Sequence, residues 1–159
     1  MSVAVEIAIE AGDWEKLPHP ADTARRAAAA ALASAGLHDG EVGILLTDDA
    51  YVRALNRKWR AKDEPTNVLS FVSPFSEPGE PRFLGDVVIA FETVLREAEA
   101  EGKPAHHHLA HLVVHGVLHL VGHDHASDNE AEAMERKERA ALATVGVPDP
   151  YMDAGERTP

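Results

Sequence analysis

The chain has 159 residues, no cysteine and a formal net charge of −12. This length suffices for one domain with its own core, and the lack of cysteine excludes disulfides, thiolate metal ligands and cysteine nucleophiles. The acidic balance argues against a protein that coats nucleic acid non-specifically, because neutralising phosphates needs Lys and Arg. The sequence has neither a membrane-spanning apolar run nor a signal peptide, so we expect a cytoplasmic protein with no membrane partner.

Hydrophobic periodicity and helix-end signals predict four strands and five helices. The strands are expected at 3–9, 42–46, 67–72 and 84–90, and the helices at 20–35, 48–59, 91–101, 104–121 and 128–144. Thr47 is the expected cap of the second helix. We therefore predict an α+β fold over residues 1–147, with a small mixed β-sheet and a polar C-terminal tail over 148–159. The order of the strands does not follow from this pattern.

Residues 51–62 form a local basic strip on this acidic chain. The strip contains no acid and has five basic residues: Arg53, Arg57, Lys58, Arg60 and Lys62. Such a strip can guide an anionic substrate to one place. From charge alone, a solvated helix face is the simpler interpretation.

The helix at 104–121 is apolar on most of its circumference, which is typical of a buried helix. His115 and His119 lie one turn apart on it, so their imidazoles share a face. Gly122 can end the helix in a left-handed conformation, after which His123 or His125 can return toward the same point. Three imidazoles with an open fourth position form a catalytic type of zinc site. We therefore predict that this central helix carries a metal site.

Other histidines of this region fit the metal site less well. His106, His107 and His108 are consecutive and point in different directions, so we expect them to be exposed. His111 extends the stripe of His115 and His119, but the axis from His111 to His119 spans about 12 Å, too long for one tetrahedral zinc.

The spacing of His115, His119, Gly122 and His125 also matches the metzincin peptidase pattern H-E-x-x-H-x-x-G-x-x-H, which favours His125 over His123. Gly116 stands where such peptidases carry the glutamate that acts as general base. A zinc peptidase is therefore an alternative that this glycine weakens.

Three blocks together resemble the YbeY family of bacterial metal-dependent endoribonucleases. They read HGVLHLVGHDH at 115–125, LNRKWRAKDEPTNVLSF at 55–71 and LGDVVI at 84–89. The blocks occur in the family's order, and the resemblance covers about residues 42 to 145. Two positions depart from the family pattern, because His123 replaces a more frequent Tyr and Asn67 a more frequent Asp.

The resemblance implies that His115, His119 and His125 bind one zinc ion per chain and that Arg60 is essential for function. It also implies cleavage of single-stranded RNA, a role in maturing the 3′ end of the small-subunit rRNA, and ribosome quality control. The expected partners are rRNA and the ribosome or its proteins, and no DNA. Three imidazoles also accept nickel or another divalent metal.

The chemistry of the residues fits this implied activity. The Arg60 guanidinium can present two parallel donors to a phosphate and stabilise charge in the transition state. Asp124, between two histidines, can orient a ligand imidazole or cap the turn. The residues identify no general base, which keeps a third hypothesis open: a non-enzymatic ribosome assembly factor with a structural metal.

Overall fold

The computed structural model describes residues 3–37, 39–60, 68–72, 83–122 and 127–151, without the side chains of residues 59, 60 and 72. The described elements are β1 (Val3–Ile9), α1 (Pro20–Ser34), β2 (Gly40–Thr47), α2 (Asp49–Arg60), β3 (Val68–Val72), β4 (Phe83–Ala90), α3 (Phe91–Glu101), α4 (Ala105–Leu120) and α5 (Asp128–Thr144). A short 3₁₀ turn, Trp14–Lys16, precedes α1. The predicted α+β fold with four strands and five helices is confirmed. No helix within these ranges is long and apolar enough to cross a membrane.

The four strands form one mixed sheet in the order β1-β2-β4-β3. β1 pairs in parallel with β2, and β2 in parallel with β4. β3 runs antiparallel to β4 at the edge, with Ser70 opposite Val87. Parallel neighbours need a crossover, which α1 provides between β1 and β2.

The two faces of the sheet pack against different helices. The main core takes Val42, Ile44 and Leu46 of β2 together with apolar residues of α1, α4 and α5. On the opposite face, Val52 of α2 packs against Leu69 and neighbouring residues of β3 and β4. α2, which carries Arg53, Arg57 and Lys58 of the basic strip, is therefore separated from α4 by the sheet.

α4 is the central helix of the domain, as its apolar composition predicts. It contacts α1, α3, α5, β3 and β4. Its buried apolar side chains come from all around the helix: Leu109, Leu112, Val113, Val114, Val117, Leu118 and Leu120. A helix enclosed on so many sides is a rigid support for a functional site.

Two local expectations were wrong. Thr47 is the buried last residue of β2, and the side chain of Asp48 instead accepts a hydrogen bond from the backbone N–H of Tyr51 at 2.8 Å. His108 is buried and His106 and His107 are half-buried, whereas all three were expected to be exposed. His108 lies under α3, with its Nε2 2.7 Å from a carboxylate oxygen of Glu97. At the start of α5, the Ser127 hydroxyl caps the helix by accepting a hydrogen bond from the backbone N–H of Glu130 at 3.2 Å.

Candidate metal centre

One side of α4 carries three histidines at intervals of four residues. His111, His115 and His119 are all half-buried, in contrast to the fully buried apolar residues around them. Their imidazoles follow one another along the helix, with ring centroids 6.3 Å apart for His111 and His115 and 4.7 Å apart for His115 and His119. The stripe predicted from the sequence is therefore present.

The imidazoles of His115 and His119 face each other through the same ring atom. Their Nε2 atoms lie 3.1 Å apart. Two nitrogens bound to one tetrahedral zinc at about 2.0–2.1 Å stand roughly 3.3 Å apart. The pair therefore lies close to the spacing of two ligands of one ion, and without a metal the two rings share a hydrogen bond at this distance. Neutral imidazoles suit zinc, nickel and cobalt alike.

Beside His115, the carboxylate of Glu138 on α5 is almost completely buried, with 1 % of the residue exposed. Its Oε1 lies 3.3 Å from Nδ1 of His115 and its Oε2 lies 2.8 Å from Nε2 of His111. The hydroxyl of Tyr151 donates to Oε2 at 2.7 Å. A buried carboxylate is thus supplied with three hydrogen-bonding partners, as burial of a charge requires.

These contacts set the ionisation of the group. Burial opposes the charged form of Glu138, but the hydrogen bonds from His111, His115 and Tyr151 outweigh it and lower the pKa of Glu138 to about 2. The pKa of Tyr151 is raised, by burial first and then by the adjacent Glu138 carboxylate. Glu138 is therefore a carboxylate, and Tyr151 a neutral donor, at any ordinary pH.

His111, His115 and Glu138 offer ligand atoms that all lie within 4.8 Å of one another, so this group could hold a metal ion. Of the predicted ligands, the structure brings together His115 and His119. His125 and Asp124 lie outside the described residues, as does the side chain of Arg60 at the end of α2. His111, which was not expected to be a ligand, contacts Glu138.

Glu138 and Tyr151 were not predicted from the sequence. Glu138 had a detectable signal, because it falls on the buried stripe of α5 together with Met134, Ala141 and Leu142. A glutamate on an otherwise apolar helix face is rarely buried without a partner. Tyr151 had no such signal, because its position follows from the path of the chain after α5.

Gly116 packs against the sheet, about 100° around α4 from His115 and about 60° from His119. A Cβ atom placed there would come within 2.7 Å of Val87 Cγ1 and 3.1 Å of Val68 Cγ2. Ser70 Oγ donates to the Gly116 carbonyl at 3.1 Å. A glutamate would not fit at this position, so the peptidase base is excluded by packing as well as by sequence.

The comparisons with known proteins identify the family. The family model described as endoribonuclease YbeY matches residues 9–146. This chain belongs to the YbeY endoribonuclease family. The family predicted from the motifs is therefore confirmed, and with it the class of enzyme.

Individual relatives of the YbeY family cover nearly the whole chain. The chain is 54% identical over 151 residues to an endoribonuclease YbeY of Azorhizobium caulinodans, which covers 92% of this chain and 95% of the relative. It is 51% identical over 155 residues to one of Bradyrhizobium sp. BTAi1, with 93% and 92% covered. A solution structure of a Thermotoga maritima protein shares the fold, with a TM-score of 0.58 and 23% identity over 96% of this chain and 99% of that one.

Proposed function

We propose that this protein is a zinc-dependent, single-strand-specific endoribonuclease that matures the 3′ end of small-subunit rRNA and takes part in ribosome quality control. The observation that carries the proposal is the pair of facing Nε2 atoms of His115 and His119, 3.1 Å apart on the buried helix of a YbeY family member. His125 is proposed as the third ligand, and nickel or another divalent metal can replace zinc in such a donor set.

The proposed chemistry divides between the metal and the chain. When bound, the metal supplies Lewis acidity toward the phosphodiester. Arg60 holds a phosphate oxygen pair through its guanidinium and stabilises the negative charge that develops during cleavage. Asp124 orients the imidazole of a neighbouring ligand. The rigidity of α4 keeps His115 and His119 in place through this charge development.

We further propose a cytoplasmic location and contact with the ribosome or its proteins. The net charge of −12 gives weak attraction for RNA as a polymer. On α2, however, three positively charged side chains are exposed: Arg53, Arg57 and Lys58. A protein partner that presents the RNA end would compensate for the weak attraction between RNA and this negatively charged protein.

The direct test is cleavage of a precursor of the small-subunit rRNA, with and without a chelator. We expect wild-type protein to cleave single-stranded RNA, chelation and His119→Ala to abolish cleavage, and the control His106→Ala to retain it. His106 lies on the same helix but outside the stripe of His111, His115 and His119. Cleavage that persists in His119→Ala and with chelator contradicts the proposal.

A companion experiment separates catalysis from assembly. Arg60→Ala is expected to retain its metal and lose cleavage, and to fail to complement a deletion strain. Complementation by Arg60→Ala would instead favour an assembly factor with a structural metal.

A further inference from the structure

Glu138 contacts two histidines of α4, His111 and His115, through its two carboxylate oxygens, although it lies on α5, 23 residues after His115 along the chain. Oε1 faces Nδ1 of His115, and Oε2 faces both Nε2 of His111 and the hydroxyl of Tyr151. Each oxygen therefore has its own partner or partners. Nothing in the proposed reaction requires this carboxylate, so its role needs a separate explanation.

We propose that Glu138 is the positioning residue for His115, and that His111 and Tyr151 hold Glu138 in place. The proposal rests on the function proposed above, in which His115 and His119 bind the metal. When Nδ1–H of His115 donates to the carboxylate, the lone pair of Nε2 is left facing Nε2 of His119. A carboxylate behind a ligand histidine fixes the tautomer and ring orientation and raises the basicity of the ligand.

Tyr151 extends this support to the segment that follows α5. Its backbone N–H donates to a side-chain oxygen of Asp149 at 2.8 Å, and Asp149 forms an ion pair of 3.1 Å with Arg139. The Arg139 guanidinium lies 5.7 Å from the centre of the Tyr151 ring. Residues 148–151, which the sequence assigns to a polar tail, thus anchor the hydroxyl that holds Glu138.

The competing explanation is that His111, His115 and Glu138 are themselves the metal ligands. The distance between Nε2 of His111 and Oε2 of Glu138 is 2.8 Å, a normal hydrogen-bond length. It is shorter than the roughly 3.3 Å expected between two atoms bound to one tetrahedral zinc. The 3.3 Å between Nδ1 of His115 and Oε1 of Glu138 fits either role, so the short contact between His111 and Glu138 is the distance that favours hydrogen bonding at this carboxylate.

The test measures metal binding without RNA. Glu138→Gln keeps the shape of the side chain and removes its charge, and Tyr151→Phe removes only the hydroxyl. Glu132→Gln is the matched control, because Glu132 is an exposed glutamate of the same helix. Zinc affinity is measured on full-length, metal-free protein by competition with a fluorescent chelator, the cobalt-loaded proteins give visible spectra, and circular dichroism reports folding.

We expect zinc affinity to fall about 10- to 100-fold in Glu138→Gln and by less in Tyr151→Phe, with an altered cobalt spectrum in both and no change in Glu132→Gln. A folding role alone would leave the spectrum of the bound cobalt unchanged. If Glu138→Gln does not fold, Tyr151→Phe and its spectrum decide the matter.

Two outcomes overturn the inference in different ways. Wild-type affinity and spectra in both variants, with zinc binding lost in His119→Ala, would refute the positioning role and leave the proposed function intact. Zinc binding lost in Glu138→Gln but normal in His119→Ala would make Glu138 a ligand, and would contradict both proposals.

Discussion

The two sides of α4 differ in how they use the same helix. The side toward the sheet is closely packed around Gly116, where Val87, Val68 and Ser70 leave no room for a side chain. The adjacent histidine face carries His115 and His119, and His115 contacts the buried Glu138 of α5. Close packing on the first side fixes the helix, and a fixed helix is what allows two imidazoles on the second side to keep a ligand spacing.

The largest expected effect comes from filling the packed side. Gly116→Ala should lower the free energy of unfolding by about 1–3 kcal/mol through overpacking. Gly116→Glu, which restores the residue a zinc peptidase would need, should cost more because it also buries an unpaired charge. Urea unfolding measures both variants, and casein hydrolysis by Gly116→Glu is expected to be absent.

A double variant provides the control for this prediction. Val87→Ala removes the nearest atoms that a new Cβ would meet. The double variant Gly116→Ala with Val87→Ala should therefore lose less free energy of unfolding than the sum of the losses in the two single variants. Strict additivity, or a stable Gly116→Glu protein, would show that the sheet side of α4 is not closely packed.

The polar side predicts a specific acid response. The pKa of Glu138 is about 2 in the folded protein against an ordinary value of 4.5. A lowered folded pKa stabilises the fold above the unfolded pKa, and this contribution is lost as the pH falls from about 4.5 toward 2. At roughly 1.4 kcal/mol per pKa unit, it amounts to about 3.5 kcal/mol at most.

Denaturant unfolding of metal-free protein at several pH values checks this. Wild type should exceed Glu138→Gln in stability near pH 6, and the difference should shrink with acidification. Glu132→Gln should follow the wild-type curve. Parallel pH profiles for wild type and Glu138→Gln would mean that the contacts around this carboxylate do not hold it ionised.

The smallest effect concerns the hydrogen bond between the sheet and α4. Ser70→Ala removes the donor to the Gly116 carbonyl and should cost about 0.5–1.5 kcal/mol, the usual net value of one hydrogen bond. Zinc affinity should remain at the wild-type value, since the position of α4 depends mainly on apolar packing. A large loss of zinc affinity in Ser70→Ala would show that the two sides of the helix are more tightly coupled.

Much of the fold was predictable from local patterns. β1, α3 and α5 begin and end at the predicted residues. Their signals are local: alternation along β1, Gly102 at the end of α3 and Ser127 at the start of α5. The order β1-β2-β4-β3 was not predictable, since alternation tells which face a side chain occupies and not which strand lies beside it.

The site was predictable to the same extent. The pair of His115 and His119 follows from helical spacing, and the structure brings them together. The contacts of His108 and Glu138 involve partners on other helices, Glu97 of α3 and the histidines of α4. Such contacts between distant parts of the chain leave little trace in a single sequence. His125, Asp124 and Arg60 stay predictions.

The central claim is that the metal lies between His115 and His119, and anomalous diffraction from zinc-loaded crystals tests it most directly. The account predicts one anomalous peak per chain, about 2 Å from Nε2 of both His115 and His119, with Glu138 hydrogen-bonded to Nδ1 of His115 and outside the coordination sphere. A peak bound by His111 and Glu138, with no contact to His119, would contradict it.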